Sequence, residues 1–262
     1  MNKNVRPAAV AGLFYPKSAT LLSRTVAELM LRAKARPGLK PKAIIVPHAG
    51  YIYSGVVAAS AYSAILAMKG KITRVVLVGS AHRAAFDGVA LPDCDGMATP
   101  LGETIIDQQA VAMIKDLPQV TVSAAAHAEE HSLEVQLPFL QEVLGSIKVL
   151  PLLVGDAEPK DLAEIIDVLW GGEETLIVIS SDLSHYMPCT AAESFDSQTV
   201  QHILDLEADL TAQQACGALP INGMLIAARR HGLSVCLLDL CNSGDTGGDK
   251  TCVVGYAAFA LQ

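Results

Sequence analysis

The sequence predicts a single α/β domain, a three-layer α/β/α sandwich around a largely parallel or mixed sheet. Three observations predict it. Apolar runs of strand length alternate with segments of helical period along the chain. The runs are continuously apolar, which implies a sheet covered on both faces. Hydrophobic residues make up 51% of the 262 and aromatics only 5%, so the core must be aliphatic.

AIIV (43–46) is the first such strand, and the Ala-rich GVVAASAYSAILAM (55–68), free of Pro, follows as a helix. RVVLVGS (74–80) is the next strand, and the stretch from there to Gly102 reads as loop. DQQAVAMIKDL (107–117) opens with an Asp suited to an N-cap and carries Ala110, Val111 and Ile114 on one face. SLEVQLPFLQEVL (132–144) is helical in spacing, with Pro138 marking a kink or an early turn. IKVLPLLVG (147–155) and TLIVISS (175–181) are strands flanking the helical PKDLAEIIDVLW. SFDSQTVQHILDL and PINGMLIAARRHG follow as helices, and SVCLLDL (234–240) and TCVVGYAAFAL (251–261) close the chain as strands. No repeat or linker-like stretch interrupts residues 1–262, which predicts one domain.

A formal net charge of −8 argues against a nucleic-acid or anionic-membrane surface, which needs clustered Lys and Arg. No run of 18 uninterrupted apolar residues occurs, and Pro7 and Pro16 break the apolar start of the chain. Neither a membrane span nor a signal-peptide core is therefore expected. Six scattered cysteines without a CxxC pair predict a reduced, cytoplasmic protein. The apolar excess also allows an oligomer interface.

In an α/β sheet the binding crevice forms at the carboxyl ends of the strands. Four predicted strand ends carry reactive side chains: IIVPH delivers His48, RVVLVGSAH delivers His82, TLIVISSDLSH delivers Asp182 and His185, and SVCLLDLCNSGD delivers Cys241 and Asp245. Each has an ordinary structural use, as a loop cap or a buried thiol. Four placements at the same kind of position point instead to a shared site. Imidazoles with carboxylates suit a divalent first-row metal such as iron, copper or zinc. Two histidines and one carboxylate would leave positions open for oxygen or substrate, and a further histidine could move protons.

Three other signals compete. HAEEH (127–131) fits the H-x-x-E-H pattern of inverted zinc peptidases, a route to a zinc hydrolase. GDTGGDKT (244–251) approaches a phosphate loop, but Asp249 replaces its second Gly and a strand follows where a helix should. Ser180 and Ser181 beside Asp182 and His185 suggest a hydrolase, yet no G-x-S-x-G elbow surrounds them.

RPAAVAGLFYP (6–16), PHAGYIYSG (47–55), EEHSLEVQLPFL (129–140), SSDLSHY (180–186) and NSGDTGGDK (242–250) resemble, in order, the signature blocks of the Memo-like proteins. The resemblance implies a fold shared with class III extradiol dioxygenases, which are non-haem iron enzymes. It also implies a radical-SAM protein as a pathway partner in bacteria and archaea, and iron or copper redox chemistry in animals. By position, His48 and His82 match the family's two histidine ligands, and Asp182 and His185 match its S-S-D-x-x-H pair, with His185 as catalytic base. In animal members a cysteine lies in the last loop. Here Thr246 aligns with it, and the neighbouring Asp245 would restore a two-histidine, one-carboxylate set, with Cys241 or Asp182 as alternatives.

Tyr51, Tyr53 and His131 are expected to line the substrate pocket with Cys241, while Arg6, Gly12 and Tyr15 pin the N-terminal segment. The functional expectation is a divalent-metal oxidoreductase, iron favoured, acting on an unknown small molecule. A peptide-binding or protein-binding adaptor that retains the pocket is the other reading.

Overall fold

The computed structural model describes residues 4–34 and 36–262. The first three residues and Ala35, which the single-domain reading includes, lie outside the described residues. A short strand β1 (Val5–Arg6) precedes helix α1 (Ala19–Arg32), whose N-cap Ser18 accepts the Leu21 amide. The reading above assigns nothing to α1, although Leu22, Val26 and Leu29 mark its one buried face. Strand β2 (Ala43–Val46) passes through Pro47 and His48 into α2 (Tyr51–Ile65), and β3 (Arg74–Ser80) follows.

Short strands fill the stretch read as loop: β4 (Val89–Leu91), β5 (Gly96–Thr99) and β6 (Gly102–Ile106). In β6 only Thr104 and Ile106 are buried, so no continuous apolar run betrays it. Helix α3 (Gln108–Ile114) is capped as expected, with Asp107 accepting the Gln109 and Ala110 amides. Next come β7 (Val120–Val122), α4 (Ala124–Ala128) and α5 (Leu137–Leu144), the last with Pro138 in its first turn. There the missing N–H of Pro138 leaves no helical bond unmade. The remaining elements are β8 (Lys148–Val154), α6 (Pro159–Val168), β9 (Thr175–Ser180), β10 (His185–Met187), α7 (Cys189–Leu204), α8 (Ala218–Arg230), β11 (Val235–Asn242) and β12 (Val253–Leu261).

Among the described residues one mixed sheet of twelve strands runs through the molecule. Its centre, β6-β8-β3-β9-β2, is parallel, while β12 pairs antiparallel with β2, β10 and β11. Alternate residues of each central strand enter different cores. Ile44, Val46, Val75 and Leu77 pack beneath α1, α2 and α5. Ala43, Ile45, Val76 and Val78 pack beneath α6 and α8. Covering both faces is what makes the runs within these strands continuously apolar, and it gives the expected three layers. The 18 residues Tyr51–Met68 are long and apolar enough to cross a membrane, but 61% of that stretch is buried inside this sandwich as a core helix.

Candidate metal centre

Strand register creates the site. Val46, Ser180 and Gly79 lie side by side at the carboxyl ends of β2, β9 and β3. The chain leaves the sheet just beyond this row at His48, Asp182 and His82. The segment 129–136 crosses over the row and brings His131. Gly79 permits that crossing, because a Cβ there would stand 2.8 Å from Ser132 Oγ. Ser132 Oγ donates to the Ser80 carbonyl, and Ser180 Oγ donates to the Ser132 carbonyl at 2.6 Å.

Three imidazoles meet there. Ring centroids are 5.2 Å apart for His48 and His82, 5.3 Å for His48 and His131, and 4.7 Å for His82 and His131. One nitrogen from each lies within 4.8 Å of the others. His48 is buried, His131 half-buried, and His82 opens the cluster to solvent.

The hydrogen bonds decide which nitrogens are free. Ser180 has one hydroxyl proton and gives it to Ser132, so it accepts from His48 Nδ1 at 3.0 Å and from Gln136 Nε2 at 2.9 Å. His48 therefore carries its proton on Nδ1 and keeps a lone pair on Nε2. Glu130 does the same for His82: Oε1 faces Nδ1 at 3.0 Å while Oε2 accepts the His82 backbone N–H at 2.7 Å. In its neutral form each ring is thus the tautomer that a metal-ligating histidine needs. His131 Nδ1 is buried 3.2 Å from Glu130 Oε1, off the angle of a hydrogen bond, and has no other partner among the described residues.

Burial opposes the charge on Glu130, but the His131 and His82 rings and the backbone amides of His82 and Ser132 outweigh it, holding the carboxyl well below its usual range. Burial also opposes protonation of His82, yet the Cys216 sulfur and Glu130 carry its pKa up to about 9. His131 moves down instead, chiefly by burial. Three imidazole nitrogens beside one carboxylate fit a borderline divalent ion such as zinc, iron or copper. Magnesium or calcium would demand oxygen ligands.

Asp182 Oδ1 accepts the backbone amides of His48 and Ala49, which fixes the turn, and Oδ2 lies 3.9 Å from His48 Nε2. His185 stands apart on edge strand β10, with Nδ1 against the Leu183 carbonyl at 2.9 Å. Asp245 is not in the histidine group, whose third member is His131. The Asp245 carboxylate accepts the Asn242 amide and closes a capping box on its own short turn. Cys241 packs on β11 against the core, where burial first, then Asp239 and Asp245, push its thiol up to about 12.

Tyr51 turns into the core, its ring tilted against Tyr15 and Phe139 and its hydroxyl donating to the Val135 carbonyl, because α2 begins there with that face inward. Tyr53 stays partly exposed on the same helix. HAEEH does not form a two-histidine helix. α4 ends at Ala128, and His127 is buried with Nε2 bonded to the Ala90 carbonyl at 2.9 Å. The N-terminal block is pinned as expected: Arg6 pairs with Glu134 at 2.6 Å, and Glu134 also accepts from Tyr15 OH and the Ala9 and Val10 amides.

Cys216, which the sequence reading treats only as one of six scattered cysteines, lies with Sγ 3.3 Å from His48 Nε2. It precedes a helix, so a search of strand ends misses it. A cavity of about 950 Å³ includes Ser80, Ala81 and Cys216 in its wall, within the range of small-molecule sites.

The family model for "Memo-like protein" matches residues 6–260. A MEMO1 family protein of Aquifex aeolicus is 36% identical over 264 residues, covering 96% of this chain and 97% of that one. Another, from Ignicoccus hospitalis, is 35% identical over 281 residues, covering 97% of each. An uncharacterised protein of Escherichia coli K12 aligns in structure with a TM-score of 0.48 at 12% identity, over 83% of this chain and 98% of that one.

Proposed function

This chain belongs to the Memo-like protein family, and from that premise we propose that it binds a divalent metal through His48, His82 and His131 and acts as an oxidoreductase on a small molecule. The observation that carries the proposal is the pair of fixed tautomers. Ser180 and Glu130 accept hydrogen bonds from Nδ1 of His48 and His82, so each ring in its neutral form keeps its lone pair on Nε2, in the cluster with His131. A ring held through Nδ1 with its lone pair on Nε2, beside two further imidazoles, is the usual arrangement of a metal-ligating histidine.

A bound iron, the metal we favour, would supply a redox centre and a Lewis acid. The protein's own residues supply the rest. Asp182 holds the His48 turn rigid, Glu130 neutralises positive charge around His82 and His131, and His185 is proposed as the proton-transfer residue beyond the cluster. Substrate would enter by the cavity beside Cys216. Asp87, Asp156 and Glu158 line that cavity, which favours neutral or cationic molecules over anions. Six free cysteines suit a reducing compartment, and the cytoplasm is proposed on that ground.

The test is metal content after anaerobic purification, wild type beside His48→Ala and His82→Ala. Near-stoichiometric iron in the wild type, lost from both variants, supports the reading. A wild type that takes up neither iron, zinc nor copper on reconstitution overturns it.

A further inference from the structure

A cavity of about 460 Å³ opens at the opposite end of the sheet from the histidines. Lys42 stands just before β2 and Thr175 begins β9, so the cavity lies at the amino ends of strands whose carboxyl ends lead to the cluster. Its volume is within the range of small-molecule sites. Three lysines, Lys40, Lys42 and Lys71, line it against one carboxylate, Glu173, although the chain as a whole carries a net charge of −8. Leu39, Met68 and Trp170 add apolar wall.

Two groups in that wall are held in place before any ligand arrives. Lys42 is half-buried, and its ammonium donates to the Gly172 carbonyl at 2.8 Å and the Thr175 carbonyl at 2.9 Å. An ammonium has three N–H donors, so one is left for a ligand. Burial works against the Lys42 charge, and the attraction of Glu174 only partly offsets it. Glu174 is itself engaged, its Oε1 accepting from the Gly172 amide and the Thr175 hydroxyl. Trp170 stacks on His231, with ring centroids 3.6 Å apart and planes 7° from parallel. Asp167 fixes His231 in turn, with Oδ1 2.9 Å from Nε2 while Oδ2 accepts from Arg230. The indole is therefore braced on one face. Its opposite face and edge are left for the cavity, with Lys42 Nζ 5.4 Å from the ring centroid.

A braced indole suits a flat apolar body, and a buried ammonium with a spare donor suits an anion. A cation would meet three like charges, and a neutral molecule would leave the Lys42 charge desolvated without a partner. We infer that this cavity binds a small aromatic carboxylate, its ring against Trp170 and its carboxylate accepting the third Lys42 N–H. Lys40 and Lys71, both exposed, supply the field that draws the anion in. The site is independent of the metal reading, since no histidine of the cluster lines it.

Trp170 is the one tryptophan in the sequence, so its fluorescence reports on this cavity. The test titrates the full chain with 4-nitrobenzoate and, separately, with the neutral 4-nitrobenzamide, both of which quench indole on contact. 4-Nitrobenzoate is expected to quench along a saturating curve at near-unit stoichiometry. 4-Nitrobenzamide should bind at least about tenfold more weakly, the worth of one charge-assisted hydrogen bond. Lys42→Met should abolish that preference, and a folded Lys42→Met that keeps it overturns the proposal.

Quenching that stays linear for both probes, or saturates equally for both, also overturns it. So does calorimetric binding of 4-nitrobenzoate that leaves Trp170 unquenched, since a probe held at the histidines does not touch the indole. Because Lys42→Met removes two hydrogen bonds and could misfold, Lys40→Gln combined with Lys71→Gln gives a second reading at exposed positions. The pair should weaken 4-nitrobenzoate at least about threefold and leave 4-nitrobenzamide unchanged. Equal affinity of this variant and the wild type for 4-nitrobenzoate overturns the proposal.

Discussion

Glu130 grips His82 at two points, accepting its backbone N–H on Oε2 at 2.7 Å and facing its Nδ1 with Oε1 at 3.0 Å. The carboxylate thereby sets both the position and the tautomer of that ring. Glu130→Gln offers an amide that can donate to Nδ1 and so stabilise the wrong tautomer. Zinc or cobalt affinity should fall about 10–100-fold, measured by titration against a chelator. An unchanged affinity would show that Glu130 serves the loop and not the metal.

Ser180 plays the matching part for His48. Ser180→Ala removes the acceptor for Nδ1, leaves the Ser132 carbonyl without its donor, and leaves the Gln136 amide with only the Pro47 carbonyl. Metal affinity should again fall about 10–100-fold. Stability should fall by about 1–3 kcal/mol, the cost of leaving a buried polar group unsatisfied. Calorimetry and denaturant unfolding of the same preparations separate the two effects.

The Arg6–Glu134 ion pair is almost fully buried, and Glu134 collects three further hydrogen bonds from the N-terminal block. Removing one partner strands the other charge. Glu134→Gln should therefore destabilise the protein by about 3–5 kcal/mol in urea unfolding. Arg6→Met together with Glu134→Leu leaves no stranded charge, but it deprives the Tyr15 hydroxyl, the Ala9 and Val10 amides and the His127 and Glu130 carbonyls of their partners, so it should destabilise the protein at least as much.

His127 gives a pH prediction with a definite sign. Burial is the main cause that lowers its pKa from 6.5 to about 4, so the folded state holds it neutral. The stability tied to this group is complete above about pH 6.5. It is lost as pH falls through about 4, because the unfolded state takes up the proton first. The loss approaches about 3 kcal/mol. His127→Gln should flatten that part of the stability profile between pH 7 and 4. An acid limb of unchanged slope would assign the effect to other groups.

The core strands were legible because each carries a continuous apolar run, from AIIV in Ala43–Val46 to LIVI within Thr175–Ser180. Helix α1 and strands β4 to β6 were not, since they are amphipathic or short and carry no continuous run. His48, His82 and Asp182 could be found by their place just past strand ends. His131 follows no strand and is named only through its Memo-like block, as a pocket wall, while nothing local distinguishes Cys216 from a buried thiol.

What the sequence by itself determined is therefore the central strands, the two covered faces and the first reactive groups at their ends, since hydrophobic period and residue chemistry are local properties. Tertiary structure alone decided the membership of the cluster. Gly79 makes room for Ser132, which seats His131 over the sheet, and Gly217 lets Cys216 approach the end of β9. Asp245, close to the expected place in sequence, is spent on its own turn. Such outcomes depend on which backbones pack within a few ångströms of each other, a long-range property that no single stretch of sequence carries.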